Sequence, residues 1–219
     1  NQKFKDFEII IIDNNSTDNT QEVINNFDQK KIIYKKIKND GIIAKSRNLG
    51  ITNSNGIWLA FLDSDDEWHE NKLNETYSVI KNSDAEVICT NMWIKEYGTN
   101  KKKIYRYGPY AKQFYKNLLI FGNCVSISAS TVSKNFITKN NINFNERKDF
   151  VTTEDFDFFL NISRKNGKFF FINTPLGKHF IHSKSASANF DKHYDALFSV
   201  LNDHVFKIQK FDENKEKLW

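Results

Sequence analysis

The hydrophobic pattern of this chain switches repeatedly between two periods. Short apolar runs closed by polar turn residues predict buried strands at Glu8 to Ile12, Lys31 to Lys35, Ile57 to Leu62 and Ala85 to Ile94. Helical spacing fills the intervals: a helix capped by Ser16 or Thr17 and running to Phe27, then Ile43 to Thr52, then Trp68 to Lys81. Strand and helix alternating at short spacing predict an α/β fold, a mostly parallel sheet with helices on its faces. Beyond Ile94 the pattern loosens. It predicts helices at Tyr110 to Phe121 and Glu154 to Lys165, and a strand at Val125 to Thr131. Short strands at Phe169 to Ile172 and Leu176 to His182 are joined by a turn at Thr174-Pro175, and a last helix covers Asn189 to Gln209. No repeat, low-complexity tract or linker interrupts the chain, which reads as one domain whose second half supplies the other wall of a site. Asn1 to Phe7 reads like the end of a helix feeding a strand, as though an earlier element were missing.

Two of these strands end alike. Ile9 to Ile12 runs into Asp13-Asn14-Asn15-Ser16-Thr17-Asp18, and Leu59 to Leu62 runs into Asp63-Ser64-Asp65-Asp66. Polar side chains at the carboxyl ends of buried strands suggest a ligand crevice at a sheet edge. Crowded carboxylates repel unless a cation or several donors hold them, and hard divalent ions bind such oxygens together with a substrate phosphate. Helix capping is the competing explanation for the Asp63 cluster, but one cap needs one residue. For the Asp13 turn, turn formation and a cap suffice. Arg47 and Asn48, within Gly41 to Gly50, read as a solvated basic helix face when taken alone. In Thr152-Thr153-Glu154-Asp155-Phe156-Asp157-Phe158-Phe159 a capping box spanning Thr152 to Asp155 competes with a general base, since flanking aromatics can raise a carboxylate pKa. His179 and His182 flank a short apolar strand; each fits an ordinary strand histidine, and His182 can also reach a diphosphate or a metal.

Composition changes this picture little. The chain has 219 residues, 39% of them hydrophobic and 15% aromatic with 20 Phe, which fits a globular protein and argues against disorder. The net charge of +5 is unevenly spread: Lys95 to Lys116 holds seven basic residues against one acid, Glu96, a patch suited to phosphates or an anionic membrane surface. The patch lacks the aromatic interleaving of an RNA-binding motif, so a nucleic-acid partner is not expected. Cys89 and Cys124 read most simply as reduced thiols of a cytosolic protein, with a disulfide possible but unsupported. No apolar segment is long enough to span a bilayer.

Taken together, the segments resemble glycosyltransferase family 2, inverting enzymes of the GT-A fold that use nucleotide-activated sugars. That family's "VDDGSTDGT", "ARNxGI", "FLDSDD" and "EDxxF" segments have counterparts here, in order, at Asp13 to Thr20, Ser46 to Ile51, Phe61 to Asp66 and Glu154 to Phe158. The resemblance runs from Lys5 to about Ser187. It implies a nucleotide-binding half at 1–94, an acceptor and catalytic half at 95–187 and a C-terminal helix at 188–219. It also implies a nucleoside-diphosphate sugar donor, by default UDP-linked, held by Asp13, Asn14, Arg47, Asn48, Asp63 and Ser64. Mn²⁺ or Mg²⁺ would sit on Asp65 and Asp66 with His182, Asp155 would be the catalytic base, and Glu154 would orient it. The acceptor would be a glycan or lipid-linked hydroxyl, with residues 95–116 in peripheral contact with the inner face of a membrane. Three departures stand out: the family's first strand has no counterpart, Asn14 replaces an Asp, and Phe180 stands where many members have Arg. The rival class is a degenerate GT-A-like module that binds nucleotides or partners without turnover.

Overall fold

Strand β1 (Ile9–Asp13) is an unbroken Ile run, and it pairs in parallel with β2 (Ile32–Lys36) through the short helix α1 (Thr20–Asn25). The computed structural model describes residues 1–96, 102–181 and 189–209. Helix α2 (Ile43–Asn53) follows, burying Ala44 and Ile51, and leads into β3 (Trp58–Ala60). The predicted helix at Trp68 to Lys81 is shorter than its pattern. Glu67–Trp68 is a two-residue strand, β4, and helix α3 (Lys72–Asn82) starts after it. Gly177 permits that strand: a Cβ there would lie 2.8 Å from the Glu67 carbonyl oxygen.

The second half adds β5 (Val87–Glu96), its hairpin partner β6 (Lys102–Tyr105), α4 (Phe114–Phe121), β7 (Ser130–Ser133) and α5 (Lys134–Lys139). After these come α6 (Glu154–Arg164), β8 (Phe169–Ile181) and α7 (Phe190–Asn202), which continues as a π-helical turn, Asp203–Ile208. Two predictions are corrected here. Val125 to Thr131 is mostly turn, with its strand displaced to Ser130–Ser133, and the two strands around Thr174-Pro175 are one long strand. The pairing with β5 absorbs Pro175 in irregularities near Asn91, so the proline costs register rather than ending the strand.

The larger sheet has the order β3-β7-β5-β8-β4, with β6 also on β5. Among the described residues only β1/β2 and β5/β8 are parallel; the other pairs are antiparallel, so the larger sheet is mixed. Strands from the first and second halves alternate across it. Among the described residues no strand joins β1 to β3. The Glu8 carboxylate spans the two sheets, accepting the Asn55 and Gly56 backbone N–H groups at 2.5 and 2.9 Å.

The core is largely phenylalanine. Phe144 stacks on Phe158 at 4.1 Å and Phe61 meets both edge-on, while Phe114, Phe159, Phe169 and Phe171 form a second cluster under α4 and α6. Each such pair contributes about 0.5–1.5 kcal/mol beyond burial. Phe61, just past the end of β3, and Phe158 on α6 thereby fix the two acidic segments relative to one another. Cys89 and Cys124 are both free.

Candidate active site

The turn after β3 is held from beneath. The Asp63 N–H donates to the Ser128 hydroxyl at 3.0 Å, and the Trp68 indole donates to the Ser128 carbonyl at 2.7 Å. Asp63 is half-buried, while Ser64 and Asp65 are exposed. Asp66 turns the other way. Its side chain is 1% exposed and accepts from the His179 ring at 3.0 Å and from the Phe180 N–H at 3.3 Å. Asp66, expected to share a metal with Asp65, thus uses one carboxylate oxygen to anchor the turn to β8. That contact holds His179 above its ordinary pKa, aided by the charges of Asp66, Asp65 and Asp63 and opposed by burial. His182 lies outside the described residues.

The second acidic segment opens α6. Its N-cap, Thr153, makes no side-chain cap bond, and the Asp155 carboxylate accepts the adjacent Phe156 N–H at 2.7 Å, so no capping box forms. Arg47, on α2, joins the two segments. Its Nη1 donates to Glu154 Oε1 at 2.5 Å, its Nη2 donates to Asp63 Oδ1 at 2.9 Å, and its guanidinium lies over the Phe144 ring at 5.3 Å. A planar fork with two divergent donor edges suits this bridge, and lysine would not reproduce it. Asp155 sits beside the pair, partly exposed but deep within the surrounding protein. Desolvation first and the Glu154 charge second push its carboxyl up to about 7, against the pull of Arg47. A carboxylate poised near neutral pH is suited to taking up a proton.

Other expected donor-site residues are tied into the framework. Asp13 is buried and accepts from the Ser16 N–H and hydroxyl at 2.9 and 2.5 Å and from the Tyr34 hydroxyl at 2.5 Å, which together lower its pKa despite burial. Ser16 thus serves Asp13 rather than capping α1. Asn14 is exposed, and its amide oxygen accepts the Asn39 N–H at 2.9 Å. Asn48 is a brace between halves: its amide group donates to the Phe144 carbonyl and Glu146, and its oxygen accepts the Phe144 N–H. Both ends of this amide, expected in a nucleotide pocket, are engaged with the Phe144 to Glu146 segment.

Sequence reasoning did not find Ser128, the His179–Asp66 pair or the Arg47–Glu154 contact. Their partners lie 65, 113 and 107 positions away, so no local spacing signals them. Among the described residues no three His, Cys, Asp or Glu side chains converge as a metal cage. Asp63 and Asp65 do offer hard oxygen donors on one partly exposed turn. That fits an ion held by one or two carboxylates together with substrate phosphates.

The chain is similar to known proteins. Residues 1–166 match the family model "Glycosyl transferase family 2". The chain is 29% identical over 188 residues to the UDP-Glc:alpha-D-GlcNAc-diphosphoundecaprenol beta-1,3-glucosyltransferase WfaP of Escherichia coli, covering 86% of this chain and 71% of that one. It is 30% identical over 194 residues to the poly(ribitol-phosphate) beta-N-acetylglucosaminyltransferase TarP of Staphylococcus aureus, covering 85% of this chain and 57% of TarP. The crystal structure of S. aureus TarS 1–349 with UDP-GlcNAc superposes with a TM-score of 0.75 at 17% identity, over 94% of this chain and 60% of that one. This chain thus spans about three fifths of the length of TarP and of the TarS fragment. The TarS likeness establishes the GT-A fold, and the family model covers both acidic segments that Arg47 ties together. On these grounds the chain belongs to glycosyl transferase family 2.

Proposed function

We propose that this protein transfers a sugar from a UDP-sugar to a glycan or lipid-linked hydroxyl with inversion at the anomeric carbon. The observation that carries the reading is the Arg47 bridge, because it sets a near-neutral carboxyl, Asp155, beside the acidic turn that would meet a diphosphate. The acceptor hydroxyl attacks the anomeric carbon as the nucleoside diphosphate leaves from the opposite face. Asp155 takes the hydroxyl proton, and Glu154, held by Arg47, orients it. Asp65 with Asp63 would hold Mn²⁺ or Mg²⁺, which when bound neutralises charge on the departing diphosphate. UDP is the choice of nucleotide because the TarS crystals hold UDP and UDP-GlcNAc and WfaP is named for UDP-Glc, while the β-linkages in the names of WfaP and TarP support inversion.

The acceptor side of the reading is a peripheral one at the cytoplasmic face of a membrane. No acid occurs between Glu96 and Glu146, and among the described residues no helix is long and apolar enough to cross a bilayer. Salt-sensitive binding to anionic vesicles supports contact through 95–116, and equal binding to neutral vesicles removes it.

The test of the central reading is a thermal-shift panel of UDP, GDP, CDP and dTDP with and without Mn²⁺, followed by transfer assays on Asp155→Asn. Stabilisation by UDP only with metal, and an Asp155→Asn protein that binds UDP normally without turnover, is the expected pattern. Stabilisation by none of the four, or equal turnover by the variant, overturns it.

A further inference from the structure

The family match ends at residue 166, yet the segment carrying Glu154 and Asp155 is gripped from outside that range. Helix α7 and the π-helical turn after it reach this segment at three points. His193 shares a 3.1 Å hydrogen bond with the Thr152 hydroxyl, Asp203 forms an ion pair with Arg147, and His204 contacts Asp157 at 2.8 Å. The last contact is fully buried, and the other His204 ring nitrogen meets the Tyr115 hydroxyl of α4 at 3.0 Å.

Of the three, the His193 contact falls on an unusual residue. Thr152 has φ +86°, a region that a β-branched side chain adopts only when its surroundings hold it there. In that conformation its backbone N–H points at Glu154 Oε2, at 2.8 Å. Glu154 is thus fixed from both sides, Oε1 by Arg47 and Oε2 by Thr152. We propose that His193 is a positioning residue for transfer, holding Thr152 in its left-handed conformation and through it Glu154 and the neighbouring Asp155. The C-terminal helix is then part of the catalytic unit rather than an appendage to it. This rests on the reading of Asp155 as the base.

His193→Ala should lower kcat about tenfold or more through misplacement of the acidic pair, with donor KM and UDP affinity unchanged. His193→Asn, which puts an amide where the ring nitrogen stands, should recover most of the loss. Thr152→Gly separates positioning from stability. It should raise Tm, since glycine adopts φ +86° without a clash, and still lower kcat, because the tie is gone. Amide exchange at Thr152 reads the same tie without catalysis, and His193→Ala should speed it. Wild-type kcat with unchanged exchange in His193→Ala overturns the inference. So does a variant that loses Tm, UDP affinity and kcat together. If the wild-type protein transfers no sugar, the functional reading fails, and the exchange data alone decide whether His193 holds Thr152.

Discussion

Asp155→Asn should make this protein more stable at pH 8 while removing its activity. The carboxyl titrates at about 7 against an ordinary 3.8, raised chiefly by burial and then by Glu154. Between those values the folded protein holds a proton that the unfolded chain has released, so stability falls as pH rises through that window. At about 1.4 kcal/mol per pH unit the full gap corresponds to about 4 kcal/mol, and partial solvent contact reduces it to about 2–4 kcal/mol. Asparagine keeps the shape and can accept the Phe156 N–H as the carboxylate does, so the substitution removes the charge and little else. Urea denaturation of both proteins from pH 4 to pH 8, without nucleotide or metal, measures the difference. The gain should be near zero at pH 4, where the wild-type carboxyl is largely protonated when folded, and should grow to about 2–4 kcal/mol by pH 8. In Tm this is about 5–10 °C. A variant no more stable than wild type at pH 8, or a difference independent of pH, would refute the argument that Asp155 is held at a cost.

Three further outcomes follow from the same contacts. The kcat/KM for transfer should rise with pH and level off above about 7 as Asp155 ionises, and a flat profile from pH 5.5 to 8.5 would count against it as the base. Arg47→Met leaves the nearly buried Glu154 without its cation, which should cost about 3–5 kcal/mol in denaturant unfolding, and Arg47→Lys should recover only part of it. Lys72 is fully buried with its ammonium on the Ala129 carbonyl at 2.5 Å, and desolvation lowers its pKa to about 8. Its folded-state pKa lies below the ordinary 10.5, so its burial costs stability increasingly as pH falls from about 10 to 8. Lys72→Met should therefore stabilise at pH 7 by about 1–3 kcal/mol, less above pH 9, and a loss at pH 7 would show the ammonium to be a net support.

Local pattern revealed the elements better than their partners. The Ile run of β1, the spacing of α2 and the acid-led start of α6 were legible because each is fixed by its own residues. Strand β7 was misplaced because Val125 to Thr131 is apolar for a different reason: Val125, Ile127 and Ala129 fill the core from a turn. Strand β8 was split because Pro175 reads as a terminator, whereas its irregular pairing with β5 tolerates it. At the site, the chemistry-bearing residues were visible in the sequence, but their division of labour was not. Asp63, Asp65 and Asp66 look equivalent in a string; a histidine and a backbone N–H over a hundred positions away turn Asp66 inward. Arg47 looks like a solvated cation until Glu154 folds onto it.

The alternation of strands in the larger sheet bears on how this molecule can move and assemble. Each neighbouring pair in β3-β7-β5-β8-β4 takes one strand from residues up to Glu96 and one from Ser130 onward. A clam-like opening between the two halves would have to break every ladder of that sheet at once, so the halves cannot part as rigid lobes. Contacts this remote in sequence also place the molecule among slow-folding topologies, since long loops close before any strand gains its neighbour. Severed after Glu96, where β5 ends, the chain would yield two pieces that each lack alternate strands of a common sheet, and co-expression should let them interleave where neither folds alone.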